Sequence, residues 1–164
     1  MSFINKRDGV AYVPGYFLAS AECKRETREM PTTMATTASD GTKYVKMGTV
    51  YPSNDSNAIG IVYEDVDVST GNMPGSVVTE GVVYTGRLAV TGVAYTAVTP
   101  TGNENPKEEG WYEKSGNDYV LTTDTTITEG KTYYTASDVT ISDNAKTALI
   151  AKGFKFETEP AITR

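Results

Sequence analysis

Ala58-Ile59-Gly60-Ile61-Val62-Tyr63-Glu64-Asp65-Val66-Asp67-Val68 decides the fold class. Its first half is a short apolar run that reads as a buried strand. Its second half alternates, which sets Val66 and Val68 on one face and Asp65 and Asp67 on the other. Upstream, Lys43 to Tyr51 is strand-like, and Pro52-Ser53-Asn54-Asp55-Ser56-Asn57 is a turn-rich loop. Downstream, Ser69 to Gly75 makes a turn, and Ser76 to Tyr84 brings the next strands. Threonine, valine, glycine and tyrosine dominate the chain. Such β-branched and aromatic residues suit pleated strands, and Gly and Asn/Asp pairs punctuate them at short intervals.

The flanking regions differ. Before Lys43, an apolar stretch broken by Pro14 and Gly15 leads into the mixed-charge run Glu22 to Glu29, which reads as a solvated face or a short charged helix. Pro31-Thr32-Thr33-Met34-Ala35-Thr36-Thr37-Ala38-Ser39 follows as a low-complexity linker. A small unit begins at Val93. It has a strand to Val98, a loop from Pro100 to Pro106, a hairpin of Gly110 to Glu113 with Asp118 to Thr122, and a closing strand from Lys131 to Thr135. Trp111, Tyr112, Tyr119, Tyr133 and Tyr134 supply its miniature core, because aromatics bury the most area per residue. Near the end, Ser142 is a good N-cap, Ala145, Ala148 and Leu149 recur at helical spacing, and Gly153 marks the stop. Phe154 and Phe156 then alternate as a short strand.

The expected fold is mainly β: a small β-barrel or sandwich-like domain with one short C-terminal helix, an extended N-terminal arm and an inserted small β module. Residues 1–42 form the arm and linker, 43–92 with 137–164 a discontinuous β domain, and 93–136 the insertion.

Composition narrows the function. The chain has 164 residues, a net charge of -6 and no histidine, so the commonest general base and metal ligand is missing. Cys23, the single cysteine, has no histidine to activate it and no second thiol to pair with. The apolar share of 38% lies below the usual globular level of about 45–50% and predicts a thin core that gains from a partner or from oligomerisation. The acidic balance argues against nucleic acid. No apolar run approaches the roughly 20 residues of a membrane helix. Met1 to Val10 is polar, without the apolar centre of a signal peptide.

Three constellations carry possible chemistry. Asp65-Val66-Asp67-Val68-Ser69-Thr70-Gly71 superficially resembles a calcium loop, but Thr70 and Ser76 stand where an EF-hand needs glycine and glutamate. Glu64, Asp65 and Asp67 could pair as glycosidase carboxylates, yet they read better as the exposed face of a strand. Tyrosine, present eleven times, marks a stacking face, a protein interface or ordinary strand packing. Packing is the reading for Tyr133 and Tyr134. The chain is expected not to be an enzyme, and to hold no metal and no cofactor.

Gly48-Thr49-Val50-Tyr51-Pro52-Ser53-Asn54-Asp55-Ser56-Asn57 running on through Val68 resembles the core signature of tailed-phage head decoration (cement or head-fibre-type) proteins. In the same order, Gly71-Asn72-Met73-Pro74-Gly75-Ser76 resembles the family's turn, Gly81-Val82-Val83-Tyr84 its next strand, and Ala145-Lys146-Thr147-Ala148-Leu149 with Gly153-Phe154-Lys155-Phe156 its closing helix and strand. The resemblance covers about half the chain, in two blocks. Between them, residues 106–134 are similar to a small module that recurs in structural proteins of phages infecting Gram-positive hosts. The resemblance implies a virion protein, made in the host cytoplasm, on the capsid exterior. Its implied partners are the major capsid protein, whose capsomers it would hold together, and copies of itself, with trimers where three capsomers meet. No nucleic-acid or membrane partner is expected, on the charge balance and the apolar runs given above. The candidate capsid contacts are Tyr12, Tyr16, Phe17, Tyr51, Tyr63, Asp65 and Asp67. The candidates for an outward-facing module are Trp111, Tyr112 and Tyr119. The alternative is an adhesion or glycan-binding module with the Trp111/tyrosine unit as its stacking platform, or a tail or baseplate component.

Overall fold

The computed structural model describes residues 13–160. In chain order the elements are β1 (Leu18–Met30), β2 (Thr36–Thr37), β3 (Lys43–Val45), β4 (Val50–Tyr51), β5 (Gly60–Val62), β6 (Val66–Asp67), β7 (Met73–Tyr84), β8 (Gly92–Ala97), β9 (Tyr112–Ser115), β10 (Asp118–Leu121), β11 (Tyr134–Val139), α1 (Asp143–Ala151) and β12 (Lys155–Glu157). Single 3-10 turns lie at Thr32–Met34 and Thr85–Arg87. The chain folds as two compact units: Gly92–Val139 is unit 2, and the chain on either side of it is unit 1.

Unit 1 is built on β7. Antiparallel β1 runs along one side of it; the other side carries antiparallel β5 at Val77 and Val78 and parallel β12 at Val82 to Tyr84. Strand β4 extends the sheet beyond β5. Where β5 meets β7 both faces of the sheet are buried, which explains the unbroken apolar runs at Ile61-Val62 and Val77-Val78. On one face, Ile61, Val78 and Val83 pack with Phe17, Val50, Leu88, Ala145, Leu149 and Phe154. On the other, Val62 and Val77 pack with Met30, Val45, Val66 and Val68. The second core lies among residues of a three-stranded sheet, β2-β3-β6, and of β1, β5 and β7. The architecture is therefore sandwich-like, and no barrel closes among the described residues. Each fully buried valine, isoleucine or leucine contributes about 1.5–3 kcal/mol, so two small cores serve in place of one large one.

The strand at Ala58 to Tyr63 is present as β5, and Val66 and Val68 are buried as the alternation requires. Helix α1 begins at Ser142, whose hydroxyl accepts from the Ala145 N–H at 3.1 Å and donates to the Asn54 carbonyl at 2.8 Å. It stops at Gly153, which takes φ +104°. Two expectations change. The N-terminal stretch is extended, but residues 18–30 form the outer strand of the main sheet, and the charged run Glu22 to Glu29 is strand, not helix. The threonine-rich stretch is no loose linker either: Thr36 and Thr37 pair with Tyr44 and Lys43, and Ala38 is buried.

Unit 2 is a four-stranded antiparallel sheet in the order β10-β9-β11-β8. Its two antiparallel ribbons, the hairpin β9-β10 and the pair β8-β11 that encloses it in sequence, meet at the single pair Tyr112↔Tyr134. The first and last residues of the unit, Gly92 and Val139, are themselves paired. The chain thus leaves and returns through adjacent positions.

Candidate interaction surfaces

The pleat of unit 2 sorts its aromatics onto two sides. Tyr112 pairs with both Tyr134 and Leu121, so these three share a face. Alternation adds Tyr119 from β10 and Tyr95 from β8 to the same face. The four rings converge. Tyr95 and Tyr119 stack with centroids 3.9 Å apart, Tyr112 meets Tyr95 edge-on at 5.2 Å, and Tyr134 meets Tyr119 edge-on at 5.0 Å. All four are half-buried, with exposed Val93 and Leu121 on the same face. The opposite face holds a small core in which Trp111 lies 5.6 Å from Tyr133. Trp111 is only 7% exposed, so it is a core residue and not part of an outward platform. Tyr112 and Tyr119 do lie on the tyrosine face. Its other members, Tyr95 and Tyr134, went unnoticed in the sequence as surface residues, although Val93-Ala94-Tyr95 carries the alternation.

A polar cluster closes the Trp111 side. Lys131 Nζ reaches Glu113 Oε1 at 2.8 Å and Asp124 Oδ2 at 2.7 Å. The buried Tyr133 hydroxyl donates to Asp124 at 2.6 Å, and Thr122 donates to Glu113. The Lys131 ammonium, followed by the Tyr133 hydroxyl, holds the Asp124 carboxyl below its ordinary range. Lys131, followed by Thr122, does the same for Glu113. The ammonium is in turn pushed upward by Asp124 and then Glu113. In the preceding loop the Glu104 carboxylate accepts from the Thr101 hydroxyl and from three successive backbone N–H groups, which holds its pKa at about 2.

In unit 1 most of the proposed contact residues are engaged internally. Phe17 is wholly buried in the helix-side core and has no surface to offer. The Tyr16 ring lies under the Arg87 guanidinium at 4.4 Å, and the Tyr63 ring under Arg25 at 4.3 Å. The Tyr51 hydroxyl donates to the Glu29 carbonyl at 3.0 Å. Asp65 and Asp67 each accept a backbone N–H, from Met47 at 2.7 Å and Ser69 at 2.9 Å. Each carboxylate therefore helps to fix a loop. Tyr12 lies outside the described residues. Among the described residues no group of three or more Cys, Asp or Glu is placed to hold a metal, and no helix is long and apolar enough to cross a membrane. On β1, by contrast, six successive residues, Lys24, Arg25, Glu26, Thr27, Arg28 and Glu29, are all exposed, although Asn72 Nδ2 donates to Glu29 Oε1 at 3.1 Å and Lys24 pairs with Glu80 at 2.9 Å.

No family model, no curated protein and no solved structure matches the chain.

Proposed function

We propose that the chain is a non-catalytic structural protein of the tailed-phage head decoration kind. In this reading unit 1 docks on the outer surface of a shell of major capsid protein and braces neighbouring capsomers, while unit 2 is carried as an accessory module. The paired ends of unit 2 support this most directly, because Val139↔Gly92 makes unit 2 an excursion that contributes no residue to unit 1's two core clusters. The ordered run of decoration-like segments lies in unit 1 as well. Copies repeated over a symmetric shell gain from multivalency even when each contact is weak.

Cryo-electron microscopy of native particles tests the reading. Density over the capsomers is expected, and density confined to the tail, with bare capsomers, would overturn it. The tyrosine face favours a second role, adhesion to a surface glycan through unit 2, since Tyr95, Tyr112, Tyr119 and Tyr134 cluster beside exposed Leu121. Removing residues 100–136 separates the two roles: shell binding survives if unit 1 is the anchor, and only host-surface binding is lost.

A further inference from the structure

Strand β1 is the outer strand of the main sheet, and its free edge has a defined pattern. The Ser76 carbonyl of β7 accepts from the Tyr63 N–H, so Ser76 turns its backbone groups toward the β5 side. Thr27, its partner across the β1–β7 ladder, then forms a non-hydrogen-bonded pair with it and points its own N–H and C=O away from the sheet. The same parity holds for Arg25 opposite Val78 and Glu29 opposite Pro74. Among the described residues none of these outward groups has a backbone partner. The Glu29 carbonyl accepts from the Tyr51 hydroxyl on one lone pair, and no second donor reaches it among the described residues.

Such an edge is a template for strand addition, and charge usually guards it. Here the charges are ordered by sign about Thr27. Glu26 and Arg28 lie one step away, and Arg25 and Glu29 lie two steps away. An antiparallel two-fold axis at Thr27 sets Glu26 against Arg28 of a second copy and Arg25 against Glu29, each pair formed twice. Neighbouring registers fail. A slip of one residue puts Arg25 opposite Arg28 or Glu26 opposite Glu29. A slip of two puts Lys24 opposite Arg28, or Arg28 opposite itself. Glu26 and Arg28 already pair within the chain, and both stay about half exposed. Across the axis they would close a ring of four alternating charges.

We propose that two copies of this chain pair through their β1 edges, antiparallel and centred on Thr27, to form an isologous dimer with one continuous sheet. Outward N–H and C=O groups at Arg25, Thr27 and Glu29 make the ladder, and the four side chains beside Thr27 set its register. Pairing of this kind needs no shell and stands or falls apart from capsid docking.

Sedimentation of the full chain across a concentration series, at low and high salt, tests it. A monomer–dimer equilibrium is expected that weakens as salt screens the exposed charges. Glu26→Arg should weaken dimerisation at least about tenfold, because it sets arginine against arginine twice, and adding Arg28→Glu should restore it. Circular dichroism confirms that both variants are folded. In a Cys23→Ser background, Thr27→Cys should give a disulfide-linked dimer on mild oxidation, because residues opposed across the axis sit about 5.5 Å apart. Lys24→Cys should not. A chain that stays monomeric throughout, a Glu26→Arg variant that dimerises as tightly as the parent, or a folded double variant that fails to recover would each overturn the proposal. So would dimerisation seen only after removal of residues 2–12, which would mean that the chain's own N-terminal segment covers the edge.

Discussion

Two glycines show at the residue scale what the sequence could and could not announce. Gly60 sits inside an apolar run and reads like any strand glycine, but a Cβ there would lie 2.3 Å from the Val78 carbonyl oxygen and 2.4 Å from a Val77 methyl. Gly60→Ala should therefore destabilise unit 1 by more than about 2 kcal/mol, measured by thermal unfolding, because backbone blocks the added methyl. Gly86→Ala has open space and no positive φ, and should change stability by no more than about 0.5 kcal/mol. Ser142 was legible as a cap from its place before the apolar spacing. Its hydroxyl's bond to the Asn54 carbonyl was not, since that contact spans 88 residues. Losing both roles, Ser142→Ala should lower unit 1 stability by about 1–2 kcal/mol in the same measurement.

Among the elements, alternation was a sound guide wherever one face is buried, as at Val66 and Val68, and the helix cap and stop were sound as well. Composition misled at β1 and β2. The charged run Glu22 to Glu29 and the threonines before Asp40 have little to bury, so only their long-range partners on β7 and β3 make them strands. Trp111 and the tyrosines were legible as the insertion's aromatic stock. Which of them point outward depends on register, which no local pattern states. The Glu113–Lys131–Asp124 cluster, which ties β9 to the segment between β10 and β11, should give unit 2 a pH-dependent stability. Both carboxyl pKa values are lowered in the folded state, so their contribution is present above about pH 4, the unfolded carboxylate value, and fades as pH falls through the lowered folded values. The lysine pKa is raised, so its contribution is complete below about pH 10 and fades as pH climbs above that. Unfolding of unit 2 followed between pH 2 and neutrality should show the acid loss, and Lys131→Met should flatten that limb. An unchanged limb in the variant would show that the cluster does not set it.

On the scale of the whole molecule, Gly92 and Val139 face each other across one ladder position, so a short Gly-Ser turn should replace everything between them. Unit 1 should then keep its helix signal and a cooperative thermal transition. Loss of cooperativity would show that its cores depend on unit 2. The position of Trp111 carries a different consequence. It is the protein's single tryptophan, and it is buried in unit 2, whereas α1, the one α-helix among the described residues, belongs to unit 1. Indole emission and the far-ultraviolet helix band therefore report on separate units. One denaturant titration read in both channels at once would tell whether the two units melt together or in turn, with no label attached and no residue changed.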